Sequence, residues 1–350
     1  MEKTTSNLIT KPRYDWLDAI KAFAMMLVIF GHLGVSTVTT YQAYASFIKL
    51  PLFFAASGFV FSVKKTEKPL VFIADRIKRI ILPYLYLCTI IQIFYLIYEK
   101  QEPKAWIVSS LSKIFTGSIY MWFLPVIFLC NVMMLVVFKI FKEKDGAIIS
   151  IAVVSLILGY FLLPEKHIIF DVNEALIAFA FCVFGFYYKK YIVKADKRII
   201  IPIASVCLVL YLALPLVYKR ITGHINYVNM YENHYTNFFL DMLISFSGVM
   251  AVFVFASLFK YPKSVLWFGK NTMFYYAFHI PMYYTLYSLF QTLLPAIPIW
   301  NQKGSKRYVA LSCVITVISV LVLAPFCNLV NKYIPFLVGG KKNLRGKNGH

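Results

Sequence analysis

"AIKAFAMMLVIFGHLG", residues Ala19–Gly34, is almost wholly apolar yet holds one lysine and one histidine. With its flanks it reads as a transmembrane helix over roughly 17–35, since a span needs about 20 mostly apolar residues. Lys21 and His32 are eleven residues apart. At about 100° per residue that is about 1100°, some 20° from a whole number of turns, so both side chains share one helix face, roughly 16 Å apart along the axis. Asp18 stands three residues before Lys21, within pairing reach. Ionisable groups inside a span usually face a protein interior or a water-filled cavity and carry function. The plainer alternative is that Lys21 snorkels to the interface and His32 caps an aqueous vestibule.

Comparable apolar runs recur to the end of the chain. Of its 350 residues 60% are hydrophobic and 18% aromatic, and the mean hydropathy is +0.70; soluble domains sit nearer about 45–50% apolar. The pattern predicts an all-α, polytopic transmembrane bundle. Ten spans are expected, at roughly 17–35, 46–63, 80–98, 119–138, 147–163, 174–190, 199–217, 238–258, 266–294 and 308–336, the ninth broken near "WFGKNT". The whole of 1–350 reads as one domain, with a core over roughly 14–338 and a short basic tail at 339–350. The polar N-terminal dozen residues predict no cleavable signal peptide, leaving the first span as the targeting signal.

The net charge of +21 could point to nucleic acid, but in a membrane protein it is first a topology signal. With a cytoplasmic N-terminus, 23 Lys/Arg fall on the cytoplasmic side and 9 outside. That asymmetry predicts N-in, C-in topology in a cell membrane, with the lipid bilayer and no nucleic acid as partner. The six cysteines all fall in expected spans without metal-ligand spacing, and read as buried small hydrophobes.

Two further stretches bear on chemistry. "LPLFFAASGFVF" (Leu50–Phe61) places Ser57 and Gly58 mid-span, where small residues let helix backbones approach. "DRIKRIILPY" (Asp75–Tyr84) carries Arg76, Lys78 and Arg79 at the expected cytoplasmic start of the third span. Arg76 and Arg79 are three apart and expected on one face. They read either as a topology signal or as a phosphate clamp, since paired guanidinium groups suit bidentate phosphate binding. The mid-span polar residues Gln92, Asn131 and Asp241, and Asp171 at a span boundary, read as interhelical hydrogen-bonding groups.

Taken in order, "WLDAIKAFAMMLVIFGH", "PLFFAASGF" and "RIKRIILPY" resemble the integral-membrane acyltransferase family three. Members usually carry an arginine, ten intervening residues and a histidine in the first span; here Lys21 stands at the arginine position and His32 matches the histidine. The lysine form resembles the subgroup of fucose 4-O-acetylase and related acetyltransferases. "YMWFLPVIF" (Tyr120–Phe128), "ALIAFAFCVFGFYYKK" (Ala175–Lys190) and "FGKNTMFYYAFHIP" (Phe268–Pro281) fit the same subgroup, so the resemblance covers roughly residues 14–285. One departure stands out. Many members have a histidine before the "PLFF" run, where this chain has Lys49-Leu50.

The resemblance implies O-acyl transfer, usually of acetyl from acetyl-CoA to a sugar hydroxyl of a cell-surface or exported glycan or its lipid-linked precursor, with no bound cofactor. On that reading His32 is the general base or a transient acyl carrier, and Asp18 orients Lys21. Lys21, Arg76, Arg79 and Lys78 hold donor phosphates at the mouth. His279 lines the acceptor, Ser57 lies in the cavity wall, and Trp122 either stacks on sugar or belongs to the interfacial aromatic belt. A polysaccharide or lipid-linked sugar exporter and a multi-pass scaffold are the competing readings. An exporter would show paired broken helices in its two halves, and only one break is legible, near Gly269.

Overall fold

The first apolar run becomes α1 (Asp15–Gly31), a 17-residue helix whose C-cap is His32. The chain continues through α2 (Thr40–Ile48), α3 (Pro51–Val60), α4 (Pro69–Arg76), a π-turn (Ile77–Ile81), α5 (Leu82–Glu99), α6 (Phe123–Phe141) and α7 (Asp145–Phe161). Then come α8 (Val172–Tyr191), α9 (Lys197–Thr222), a ribbon of β1 (Val228–Asn229) and β2 (His234–Tyr235), α10 (Phe238–Ser257), α11 (Lys263–Lys270), α12 (Thr272–Leu293) and α13 (Lys306–Tyr333). This computed structural model describes residues 13–32, 40–99, 106, 108, 121–142, 144–161, 171–293 and 305–340. The expected loops over 100–105, 162–170 and 294–304, and the tail from 341, lie outside the described residues.

Each expected span carries helix, and seven helical stretches are long and apolar enough to cross a bilayer. A helical membrane bundle is the result. Exposed apolar side chains line its rim: Ile199, Ile203, Val206, Val209, Leu212 and Leu216 ascend one face of α9, and Val314, Val317, Leu321 and Phe326 one face of α13. Cys313 is exposed beside them and Cys207 is half-buried, whereas the other four cysteines are buried as expected. The α2–α3 stretch is 72% buried and α9 only 22%, so α2–α3 is core and α9 faces lipid.

α1 sits at the centre, packed on α11, α10, α12 and α3, while α3 lies along α8. That last contact is backbone against backbone. A Cβ on Gly58 would lie 1.8 Å from the Cys182 carbonyl oxygen, and one on Gly185 would lie 1.9 Å from that of Ala55. The mid-span glycine thus does what its size predicts.

Two spans are broken. The expected break near "WFGKNT" falls at Asn271, between α11 and α12, where the Asn271 side chain donates to Trp267 O at 2.7 Å. Asn331 of α13 donates to Asn271 Oδ1 at 2.7 Å, tying the break to its neighbour. The second break was not legible beforehand. The expected span from 46 begins at Thr40 and is interrupted at Lys49-Leu50, because Pro51 has no N–H to continue the α2 ladder and instead opens α3. At the end of the bundle that holds the ribbon, Asp241 accepts from Asn226 Nδ2 (2.7 Å) and Asn237 N (2.9 Å). Asp241 is a loop anchor, consistent with a structural reading.

Candidate functional site

A cavity of about 250 Å³ runs beside α1. Leu17, Lys21, Met25 and Val28 line it. These are the i, i+4, i+8, i+11 residues of one face, and His32 is the next turn of that face, at the helix end. The rest of the wall is mostly apolar, from α3, α6 and α12, and includes Phe53, Phe123 and Tyr276.

One end of the cavity is basic. Lys21 Nζ pairs with Asp18 Oδ1 at 2.7 Å, and Arg13 takes Asp18 Oδ2 at 2.7 Å. One carboxylate, only 7% exposed, therefore orients two cations, and Arg13 is also held by Asp15 at 3.6 Å. The Asp18 backbone is itself fixed by α11, since a Cβ on Gly269 would lie 1.8 Å from Asp18 O. Across the mouth stands Arg76, its guanidinium 4.9 Å from the Phe72 ring centre and its Nε buried with no hydrogen-bond partner. Burying a donor without a partner is costly, and this N–H is free to donate to an anion.

Midway, Ser57 and Asn131 supply the polar wall. Asn131 Nδ2 donates to Ile127 O at 2.7 Å and to Ser57 Oγ at 3.3 Å. The interhelical role expected of Asn131 holds, and it also lines the cavity.

One turn beyond Val28, the last cavity-lining residue of α1, two imidazoles meet. His32 and His279 have ring centres 5.0 Å apart. His279 is 1% exposed, and its Nδ1 lies 2.8 Å from Tyr276 O and 3.2 Å from Tyr275 O. Carbonyl oxygens only accept, so Nδ1 carries the hydrogen and the neutral ring presents an Nε2 lone pair. That Nε2 is buried and makes no hydrogen bond. His32 keeps an exposed flank. Proton acceptance at this end, with anion binding at the other, is the chemistry the arrangement can perform.

The sequence reading placed the site residues unevenly. Lys21, Arg76 and Ser57 line the cavity, Asp18 sits behind Lys21, and His279 reaches His32 from a helix more than two hundred residues away. Arg79 and Lys78 do not join Arg76. Both are exposed, and Arg79 pairs with Asp75 at 2.7 Å. The expected shared face assumed an α-helix, but Ile77–Ile81 is a π-turn, whose wider loop rotates Arg79 past Arg76. The π-turn has a local cause: the Pro83 ring would clash with the carbonyl of residue 79 in a regular helix. Trp122 is 8% exposed and packs on Tyr231 at 5.5 Å. It is not among the residues that line the cavity. Lys49, at the α2–α3 break, was not ranked as a site residue. A Cβ on Gly31 would lie 3.2 Å from its Nζ, which puts the ammonium beside the residue preceding His32. Its signal was a lysine deep in an apolar stretch, two residues before a proline.

Neither the curated proteins nor the solved structures contain a match to this chain. The family model described as an acyltransferase domain, acyltransferase family 3, matches residues 14–327. That match takes in α1, the cavity and both histidines, and on it the chain belongs to acyltransferase family 3, as a multi-pass membrane acyltransferase.

Proposed function

We propose that this acyltransferase moves acetyl from acetyl-CoA to a sugar hydroxyl of a cell-surface or exported glycan or its lipid-linked precursor. One observation carries the reading: Arg76 and Lys21 line one end of a cavity that follows the α1 face as far as Val28, and the next turn of that face carries His32 in ring contact with His279. Coenzyme A thioesters have that shape, with phosphates at one end, an extended arm and the reacting carbonyl at the other. Arg76 and Lys21 hold phosphate, the apolar wall takes the arm, and the thioester sits at His32 and His279. The basic end faces the cytoplasm of a cell membrane, where the donor is made.

In the reaction His32 takes the proton of the acceptor hydroxyl as its oxygen bonds to the thioester carbon. The tetrahedral intermediate collapses, the carbon–sulfur bond breaks, and the leaving thiolate takes the proton back from the imidazolium. The ester and free thiol result, with no net change in the protein. His279 forms the opposite wall, and Asp18 keeps Lys21 aimed at the mouth.

The test is purified protein with acetyl-labelled acetyl-CoA, alone and with a panel of glycans. Labelled, alkali-labile glycan and free thiol in equal amounts are expected. Label transferred only to amines or lipids, or no thiol release with any acyl-CoA, would overturn the reading.

A further inference from the structure

The reading above leaves Lys49 unused. It occupies the two-residue gap between α2 and α3, half-buried, with its Nζ beside Gly31 and within electrostatic reach of both His32 and His279. Among the described residues no carboxylate pairs with it. An unpaired ammonium among apolar helices is costly to keep, and here no structural ion pair offsets that cost. The next residue, Leu50, lines the cavity, so the break that carries Lys49 is also part of the wall around the reacting end.

We propose that Lys49 supplies the positive charge that stabilises the oxyanion formed at the acyl carbonyl. This rests on the acyl-transfer reading and adds a catalytic residue to it. The geometry is restrictive. An imidazole that takes the hydroxyl proton must touch the attacking oxygen. In the intermediate that oxygen is bonded to the same carbon as the oxyanion. A cation close to both imidazoles is therefore close to where negative charge develops, and a fixed charge already in place opposes it without rearrangement. The electron pair of the carbonyl π bond moves onto that oxygen, Lys49 opposes its charge, and the pair returns as the carbon–sulfur bond breaks. Lys49 transfers no proton.

The experiment compares wild type with Lys49→Met and Lys49→Arg, purified and assayed for thiol release and transfer from acetyl-CoA. Melting temperature and coenzyme A binding are measured on each. Removing one oxyanion-stabilising group typically costs about 10²–10³-fold in kcat. Lys49→Met is expected to lose that much turnover, with coenzyme A affinity and melting temperature unchanged and no dependence on acceptor charge. Lys49→Arg is expected to recover part of the loss. Lys49→Met turnover within about threefold of wild type overturns the proposal. So does a loss seen only as a raised KM for acidic acceptors, which makes Lys49 an acceptor anchor. A lowered melting temperature with lost coenzyme A binding makes it structural and also overturns it. A wild type inert with every acyl-CoA removes the acyl-transfer reading itself, and the lysine's role with it.

Discussion

Splitting the arginine pair gives the sharpest test of the donor end. Arg76 has a buried Nε without a partner and lines the cavity. Arg79 is already bonded to Asp75 and its side chain is 43% exposed. If Arg76 holds a donor phosphate, Arg76→Met removes at least one charge-assisted hydrogen bond, which contributes about 1.5–3 kcal/mol. Residual solvent contact at a half-buried group lowers that figure, so the expected loss is at least about tenfold in coenzyme A affinity, which corresponds to about 1.4 kcal/mol. Arg79→Met removes only an exposed helix-surface pair, worth about 0.3–0.5 kcal/mol to folding, and should leave coenzyme A affinity within about twofold. Calorimetric titration of purified variants with coenzyme A, and with a pantetheine thioester that lacks the nucleotide, separates phosphate contact from loss of the cavity. Arg76→Met should weaken the first ligand and not the second. Equal coenzyme A affinity in Arg76→Met and wild type would refute the phosphate role, as would an Arg79→Met loss of the same size.

His32→Ala should fold and bind coenzyme A yet lose about 10²–10⁴-fold in acyl transfer, the usual range for a general base; turnover above half of wild type ends that role. Gly58→Leu should lower the yield and melting temperature sharply, because even its Cβ would meet the Cys182 carbonyl at 1.8 Å and overpacking at a single site already costs about 1–3 kcal/mol. A variant that melts like wild type would mean that α3 and α8 are not held backbone to backbone. A reporter fused after Lys190 should read cytoplasmic and one inserted near Asn226 external; the reverse pattern inverts the charge-derived topology and moves the donor mouth to the outer face.

Residues of one helix were the most legible. Lys21, Asp18 and His32 share α1, so helical period alone related them, and the Asp18–Lys21 pair stands at the expected spacing. Contacts between helices were not accessible in the same way. Nothing in the spacing of "FYYAFHIP" states that His279 meets His32. Nor does a proline before "LFF" state that the lysine two residues earlier lies beside Gly31, the residue preceding His32. The misplacement of Arg79 is different in kind. Its cause, Pro83, was on the page, and applying an ideal α-helical turn across a residue four positions before a proline produced the error.

The two helix breaks bear on the competing exporter reading. In transporters, discontinuous helices from the two halves bring their broken points together around one substrate site near the bilayer midplane. Here two breaks exist, but α1 serves as a ruler that separates them. The α11–α12 break lies at the Asp18 end, where Gly269 meets Asp18 and Thr272 and Met273 line the mouth. The α2–α3 break lies at the Gly31 end, beside the histidines. The breaks thus stand near opposite ends of α1, one beside Asp18 and the other beside Gly31. An enzyme needs this separation when its donor carries charge at one end and reacts at the other. At the mouth, the α11–α12 break lets Gly269 pack on the Asp18 backbone. At the reacting end, the α2–α3 break lets Lys49 approach the histidines. On the proposed function, the same interruption of helix that offers a transporter its ion site sets the length of the donor channel.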